Sequence, residues 1–145
     1  MKRAVVMILS LVLCLALIAC AKQPPEEVEP DMTEPQQTEM AVVHESTAEE
    51  AKSRMDSGDP IVVLDVRTQE EYDQKHIDGA VLLPNEQIAD TRPDALPELD
   101  AEILVYCRSG NRSRQAADNL VAMGYTAVYD FGGINSWPYD TVSGS

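Results

Sequence analysis

The chain has 145 residues and a formal charge of −14, from 25 acidic and 11 basic side chains. That length suits one ordinary domain with additional segments, and so acidic a chain is a poor partner for nucleic acid and is repelled by anionic lipid surfaces. Its three cysteines, Cys14, Cys20 and Cys107, form no C-x-x-C redox pair and no cysteine-rich zinc site.

Lys2 and Arg3 open the chain, and Ala4 to Ala19 is an apolar run interrupted only by Ser10. The run is short for a membrane-spanning helix and right for the core of a signal peptide. It ends in Leu17-Ile18-Ala19-Cys20, which resembles the bacterial lipobox, where the cysteine becomes the lipidated first residue of the mature protein. The resemblance implies a signal peptide over residues 1–19 and acyl chains, palmitate among them, on Cys20. It also implies a lipid anchor on the extracytoplasmic face of the cell membrane, and several chains on one residue hold where one would be marginal. A plain signal peptide cut near Ala19, or an uncleaved anchor, is the alternative. Loss of Lys2 and Arg3 with the signal peptide moves the charge from −14 to −16. Cys14 leaves with it and Cys20 carries lipid, so Cys107 remains as the only thiol. An exported, unpaired cysteine needs burial or a use.

From Ala21 to Met40 the chain holds Pro24, Pro25, Pro30 and Pro35, six acidic residues and one lysine. So few large apolar side chains cannot bury enough surface to fold, and residues 20–40 read as a semi-extended tether. Residues 41–145 are enough for one core. Ala41 to Val43 is a short strand candidate. Ser46 and Thr47 with Glu49 and Glu50 give overlapping capping boxes for a helix whose inner face is Ala48, Ala51 and Met55, closed by Gly58. Ile61 to Val66 is an apolar run broken only by Asp65, the pattern of a strand buried on both faces. Thr68 with Glu71 caps a short second helix. Ala80 to Leu83 and Ile103 to Tyr106 are further strands. Ala116, Ala117, Leu120 and Val121 make one stripe of a helix from Arg112 to Met123, and Ala127 to Tyr129 is the last strand. Strands alternating with helices predict an α/β domain: a mostly parallel sheet of about five strands in three layers, with helices on both faces.

Between the fourth strand and the third helix lies Cys107-Arg108-Ser109-Gly110-Asn111-Arg112-Ser113. Ligands of open α/β sheets bind outside the carboxyl ends of strands, where backbone N–H groups and a helix dipole converge. Arg108 and Arg112 add two permanent charges, and a cysteine at the base of such a loop is expected as thiolate below its free pKa. The arrangement suits an anion on or beside Cys107. Phosphatases place an arginine six residues after the nucleophilic cysteine; here that position is Ser113, and Arg112 comes one residue early.

The six residues from Cys107 to Arg112 resemble the active loop of the rhodanese family, C-R-x-G-x-[R/T], at all four defined positions. Leu64-Asp65-Val66-Arg67 with Glu71-Tyr72 is similar to the family's D-V-R-x-x-x-E-[FY] segment. His76-Ile77-Asp78-Gly79-Ala80 through Leu83-Pro84 is similar to its G-H-I-x-G-A…x-P segment, and Gly132-Gly133 through Trp137 to its G-G-x-x-x-W segment. Lys75 departs from the pattern, standing where the family usually has glycine, and a change in loop conformation is expected there. The resemblance implies a rhodanese-like fold and a sulfurtransferase working in two steps. The Cys107 thiolate would take sulfur from a sulfane donor such as thiosulfate, polysulfide or a persulfide. The loop from Arg108 to Ser113 would hold the resulting persulfide, and a thiol or cyanide would accept the sulfur.

Other readings stay open at this point. Cys107 can load sulfur as a carrier for a membrane partner without fast turnover. A phosphatase or arsenate reductase is disfavoured by the position of Arg112, and a purely structural domain by the intact loop. Arg108 points to solvent or to an anionic substrate, whereas Arg112 at a helix start needs an anion and so serves the loop. Asp65 and Arg67, at a strand end, read as a supporting ion pair or capping bond. His76 reads as a structural loop residue, Tyr72 and Trp137 as core or rim aromatics, and His44 has no evident partner. Nothing in the sequence points to a metal or an organic cofactor, and a monomer is expected.

Overall fold

The computed structural model describes residues 41–96 and 98–144. The expected signal peptide of residues 1–19, the expected lipidation site Cys20 and the expected tether of residues 20–40 lie outside them. Eight regular elements follow in order: β1 (His44–Glu45), α1 (Ala48–Met55), β2 (Ile61–Asp65), α2 (Gln69–Gln74), β3 (Val81–Leu82), β4 (Glu102–Cys107), α3 (Asn111–Ala122) and β5 (Ala127–Gly133). Short 3-10 turns at Asn85–Gln87 and Ile134–Ser136 complete the chain path. The five strands pair in parallel in the order β1-β5-β4-β2-β3, the α/β architecture expected from the alternation of strands and helices.

Strand alternation divides the core into two layers. Ile103, Val105 and Cys107 of β4 pack with Ala116, Ala117 and Leu120 of α3, while Leu104 and Tyr106 turn to the opposite face with Ala51 of α1, Phe131 and Ile134. Both faces of β2 and β4 are thereby covered, which is why their sequences are almost continuously apolar. Both α1 and α2 begin with a complete capping box, Thr47 with Glu50 and Thr68 with Glu71.

The strand boundaries differ from the sequence reading, by one residue at an end of β2 and at each end of β4 and by more elsewhere in the sheet. The first strand is His44–Glu45 rather than Ala41 to Val43, because Tyr129 and Asp130 of β5 supply its pairing partners. His44, without an evident partner in the sequence, stacks on Tyr129 with ring centroids 4.8 Å apart. The third strand shrinks to Val81–Leu82. The last runs four residues beyond Tyr129, to Gly133, carried through Asp130 and two glycines by its pairing with β4. That pairing shifts register between Val105 and Cys107, so that Cys107 comes to lie opposite Gly133. Irregularities of this kind re-aim a strand end, here toward the loop after Cys107. His76 is buried, stacks on Tyr72 at 3.6 Å and exchanges two backbone hydrogen bonds of 2.8 Å with Val142.

Candidate active site

Cys107 closes β4 on the face covered by α3. Its thiol is 1 % exposed, and Sγ accepts a hydrogen bond from the Gly110 N–H at 3.1 Å. The chain turns at Gly110, whose φ of +104° lies in the left-handed region open to glycine, and enters α3 at Asn111. Unlike α1 and α2, α3 has no side chain on its N-cap and no acidic residue in its first turn. The first N–H groups of any helix lack an internal partner. At α3 they are left to the sulfur. Burial pushes the Cys107 thiol up, but the backbone N–H groups of Ser113, Ser109 and Gly110, with the Ser113 hydroxyl, together outweigh it and hold the pKa below that of a free thiol. Ser113 is fully buried, its hydroxyl within 3.0 Å of the Gly110 carbonyl and 3.2 Å of the Gly132 carbonyl. It ties the two sides of the loop together.

The rear of the loop rests on Gly133. A Cβ at that position would stand 2.5 Å from the Arg108 carbonyl oxygen and 2.6 Å from Ser109 Cα, so only glycine permits the approach. The Asn135 N–H donates to the same Arg108 carbonyl at 3.2 Å.

The sequence reading gave Arg112 to the anion site and left Arg108 open between solvent and substrate; the structure shows a different partner for Arg112. The Arg112 guanidinium makes two parallel hydrogen bonds to Glu71 of α2, at 2.7 and 2.8 Å. That carboxylate supplies the anion which a cation at a helix start requires. The Arg112 guanidinium, and to a smaller extent the Thr68 backbone N–H, holds Glu71 at about 2 against the opposing effect of burial. Glu71 thus caps α2 and also docks that helix onto the loop. Its second role spans 41 residues and leaves no local mark in the sequence. Arg108 is exposed and lines a neighbouring cleft. Ser109 and Asn111 are also exposed.

Asp65 and Arg67 form a buried pair at the end of β2, beside β4. Arg67 Nε and its second guanidinium nitrogen donate to Asp65 at 2.9 and 2.6 Å, and its backbone N–H donates to the same carboxylate at 3.0 Å. Tyr106, not singled out in the sequence, completes the cluster: its hydroxyl donates to Asp65 at 2.6 Å and accepts from the Ile77 N–H at 3.1 Å. Burial and the Asp65 charge push the Tyr106 phenol far up, so it serves as a neutral donor. Arg67 also donates to the Lys75 carbonyl at 2.7 Å. The cluster therefore joins β2, β4 and the segment that carries His76 and Ile77. Among the described residues no group of three or more His, Cys, Asp or Glu is placed to hold a metal, and no helix is long and apolar enough to cross a membrane.

Residues 47–139 match the family model of the rhodanese-like domain. The chain is 36% identical over 81 residues to the thiosulfate sulfurtransferase PspE of Escherichia coli K12, covering 56% of this chain and 78% of that protein. It is 40% identical over 89 residues to the thiosulfate sulfurtransferase GlpE of Pseudomonas entomophila, covering 58% and 80%. A solved rhodanese with anions from E. coli superposes with a TM-score of 0.53 at 35% identity, over 57% of this chain and 98% of that one. With the cysteine loop, the G-G approach beneath it and a match over most of the folded part, the chain belongs to the rhodanese-like family.

Proposed function

We propose that this protein moves sulfane sulfur from an oxidised sulfur donor to a thiophilic acceptor through a persulfide on Cys107. The observation that carries the reading is the buried thiol under an uncapped helix N-terminus, with several N–H donors lowering its pKa. In the first step the Cys107 thiolate attacks the outer sulfur of thiosulfate. The S–S bond of the donor breaks, a Cys107 S–S bond forms, and sulfite leaves with the electron pair. The terminal sulfur of the persulfide is an anion, and the loop N–H groups stabilise it as they stabilise the thiolate. In the second step cyanide or a thiolate attacks that terminal sulfur, and the Cys107 thiolate is the leaving group. Neither step removes a proton from a weak acid, so no general base is required.

Intact mass of the protein after thiosulfate treatment tests this. A gain of about 32 Da that cyanide removes, absent in Cys107→Ser, is expected. No adduct with thiosulfate, polysulfide or a small persulfide would sink the reading. Stoichiometric loading with very slow steady-state turnover would favour a carrier over an enzyme.

The same proposal includes acylation of Cys20, which would hold the domain by its tether at the extracytoplasmic face of the cell membrane. It rests on the Leu17-Ile18-Ala19-Cys20 sequence after the apolar run. Palmitate fed to cells making the protein is expected to label it, and Cys20→Ser to remove the label; equal labelling of both forms would overturn the anchor.

A further inference from the structure

A cavity of about 510 Å³ lies between the end of α1 and the C-terminal segment. None of the residues from Cys107 to Ser113 lines it, so it is separate from the sulfur site. Its size falls within the roughly 300–1,000 Å³ of small-molecule sites. Met55, Ile77 and Pro138 give it an apolar wall, and Met55 and Ile77 belong to the core layer on the α1 side of the sheet. Against that wall stand two aromatic rings. Trp137 and Tyr139 have centroids 4.9 Å apart and planes at 70°, so they bound a corner rather than a flat plate. Trp137 is fixed by Phe131, 5.6 Å away between centroids, and by the hydrogen bond its indole N–H donates to the Asp140 carbonyl at 3.3 Å. Tyr139 is left 37 % exposed.

The charge around these rings is negative. Asp56, Asp78 and Asp140 line the cavity with a single cation, Lys52, which leaves a net charge of −2. Lys52 pairs with Asp56. Among the described residues, neither Asp78 nor Asp140 has a cationic partner. Lys52 also shows how a cation meets this corner, since its ammonium lies over the Tyr139 ring, 5.7 Å from the centroid. That is close to the outer limit of about 6 Å for attraction to an aromatic face. A primary ammonium is strongly hydrated and seeks acceptors for its three N–H groups, as Lys52 does at Asp56. A quaternary ammonium has no N–H to satisfy. Its methyl groups suit ring faces and an apolar wall, and its charge suits unpaired carboxylates nearby.

We infer that this cavity binds a small soluble organic cation of the quaternary ammonium class. The head group rests against Trp137 and Tyr139, with Asp78 and Asp140 balancing its charge. A phospholipid head group fits less well, because the phosphate beside its ammonium would meet the same carboxylates. The site is independent of sulfur transfer.

Trp137 is the only tryptophan in the chain, so its fluorescence reports on this cavity alone. Choline titrated into the protein at constant ionic strength is expected to change that emission saturably. Dimethylbutanol, the same skeleton with carbon in place of nitrogen, is expected to bind at least about tenfold more weakly. Tyr139→Leu should weaken choline binding about fivefold, and Asp78→Asn combined with Asp140→Asn about tenfold. Lys52→Gln removes the competing ammonium and frees Asp56, and should tighten binding about threefold. Phosphatidylcholine vesicles should leave the emission unchanged. The comparison of choline with dimethylbutanol uses the parent protein and so does not depend on any variant folding. No saturable change with choline, equal affinity for the two probes, a Lys52→Gln protein that binds more weakly than the parent, or saturation by vesicles would each overturn the inference, and none would touch the persulfide cycle.

Discussion

Gly133→Ala is expected to slow sulfur loading on Cys107 by about a hundredfold while leaving the sheet intact. The backbone at Gly133 has φ −130° and ψ 142°, ordinary extended values, so alanine meets no dihedral strain there. The obstacle is contact. The new methyl would stand 2.5 Å from the Arg108 oxygen, 2.6 Å from Ser109 Cα and 2.7 Å from the Arg108 carbonyl carbon, and all three are backbone atoms that cannot swing aside. The loop must lift. A displacement of about 1 Å at a reacting centre costs on the order of a hundredfold in rate, and overpacking of this kind costs about 1–3 kcal/mol in stability. Two measurements separate the effects. The pH profile of Cys107 alkylation should move upward as the N–H donors leave the sulfur, and a thermal melt should show a smaller but cooperative transition. A Gly133→Ala protein that alkylates and loads sulfur like the parent would refute the proposed rear wall.

Asp65→Ala is expected to cost about 3–5 kcal/mol, a large part of the roughly 5–15 kcal/mol that holds a domain together. The carboxylate is fully buried and accepts from the Arg67 guanidinium, the Arg67 N–H and the Tyr106 hydroxyl. Its removal strands a guanidinium that is 2 % exposed and a phenol with no acceptor. For a domain of about a hundred residues the midpoint of thermal unfolding should fall by more than about 10 °C. The paired replacement Asp65→Leu with Arg67→Met should cost distinctly less than Asp65→Ala, since it removes both charges together. Urea unfolding of the three proteins decides. If the single variant is as stable as the parent, the buried pair contributes nothing net and its geometry has another cause.

The parts of this fold that could be read from sequence are those set by neighbours along the chain. Thr47 with Glu50 and Thr68 with Glu71 marked two helix starts, and both capping boxes are present. The apolar runs around Leu64 and Leu104 marked β2 and β4 because both faces of those strands are covered. What was not legible depends on pairing across the sheet or between helices. β5 continues through Asp130, Phe131 and two glycines, residues with mixed or poor strand preference, because β4 pairs with it there. Arg112 looked like a cation for the substrate, since its partner Glu71 is distant in sequence and already had a sufficient explanation as a cap. The depressed thiol pKa was expected partly from arginine charge. It comes from backbone donors, and the clue was present in Gly110 standing where a helix would ordinarily have Ser, Thr or Asp.

That open start of α3 sets a conflict between durability and chemistry. A side-chain cap of the kind at Thr47 and Thr68 is worth about 1 kcal/mol to a helix. At position 110 the φ of +104° forecloses it, because a capping residue sits in the extended region. A rigidified variant of this protein, selected only for heat resistance, would gain by reshaping that turn and saturating its free N–H groups. The groups so satisfied are the ones that attend the sulfur. Thermostability won there would be taken directly from reactivity, so engineering for endurance belongs on β1, β3 and the solvent faces of α1 and α2, where no donor is being held in reserve.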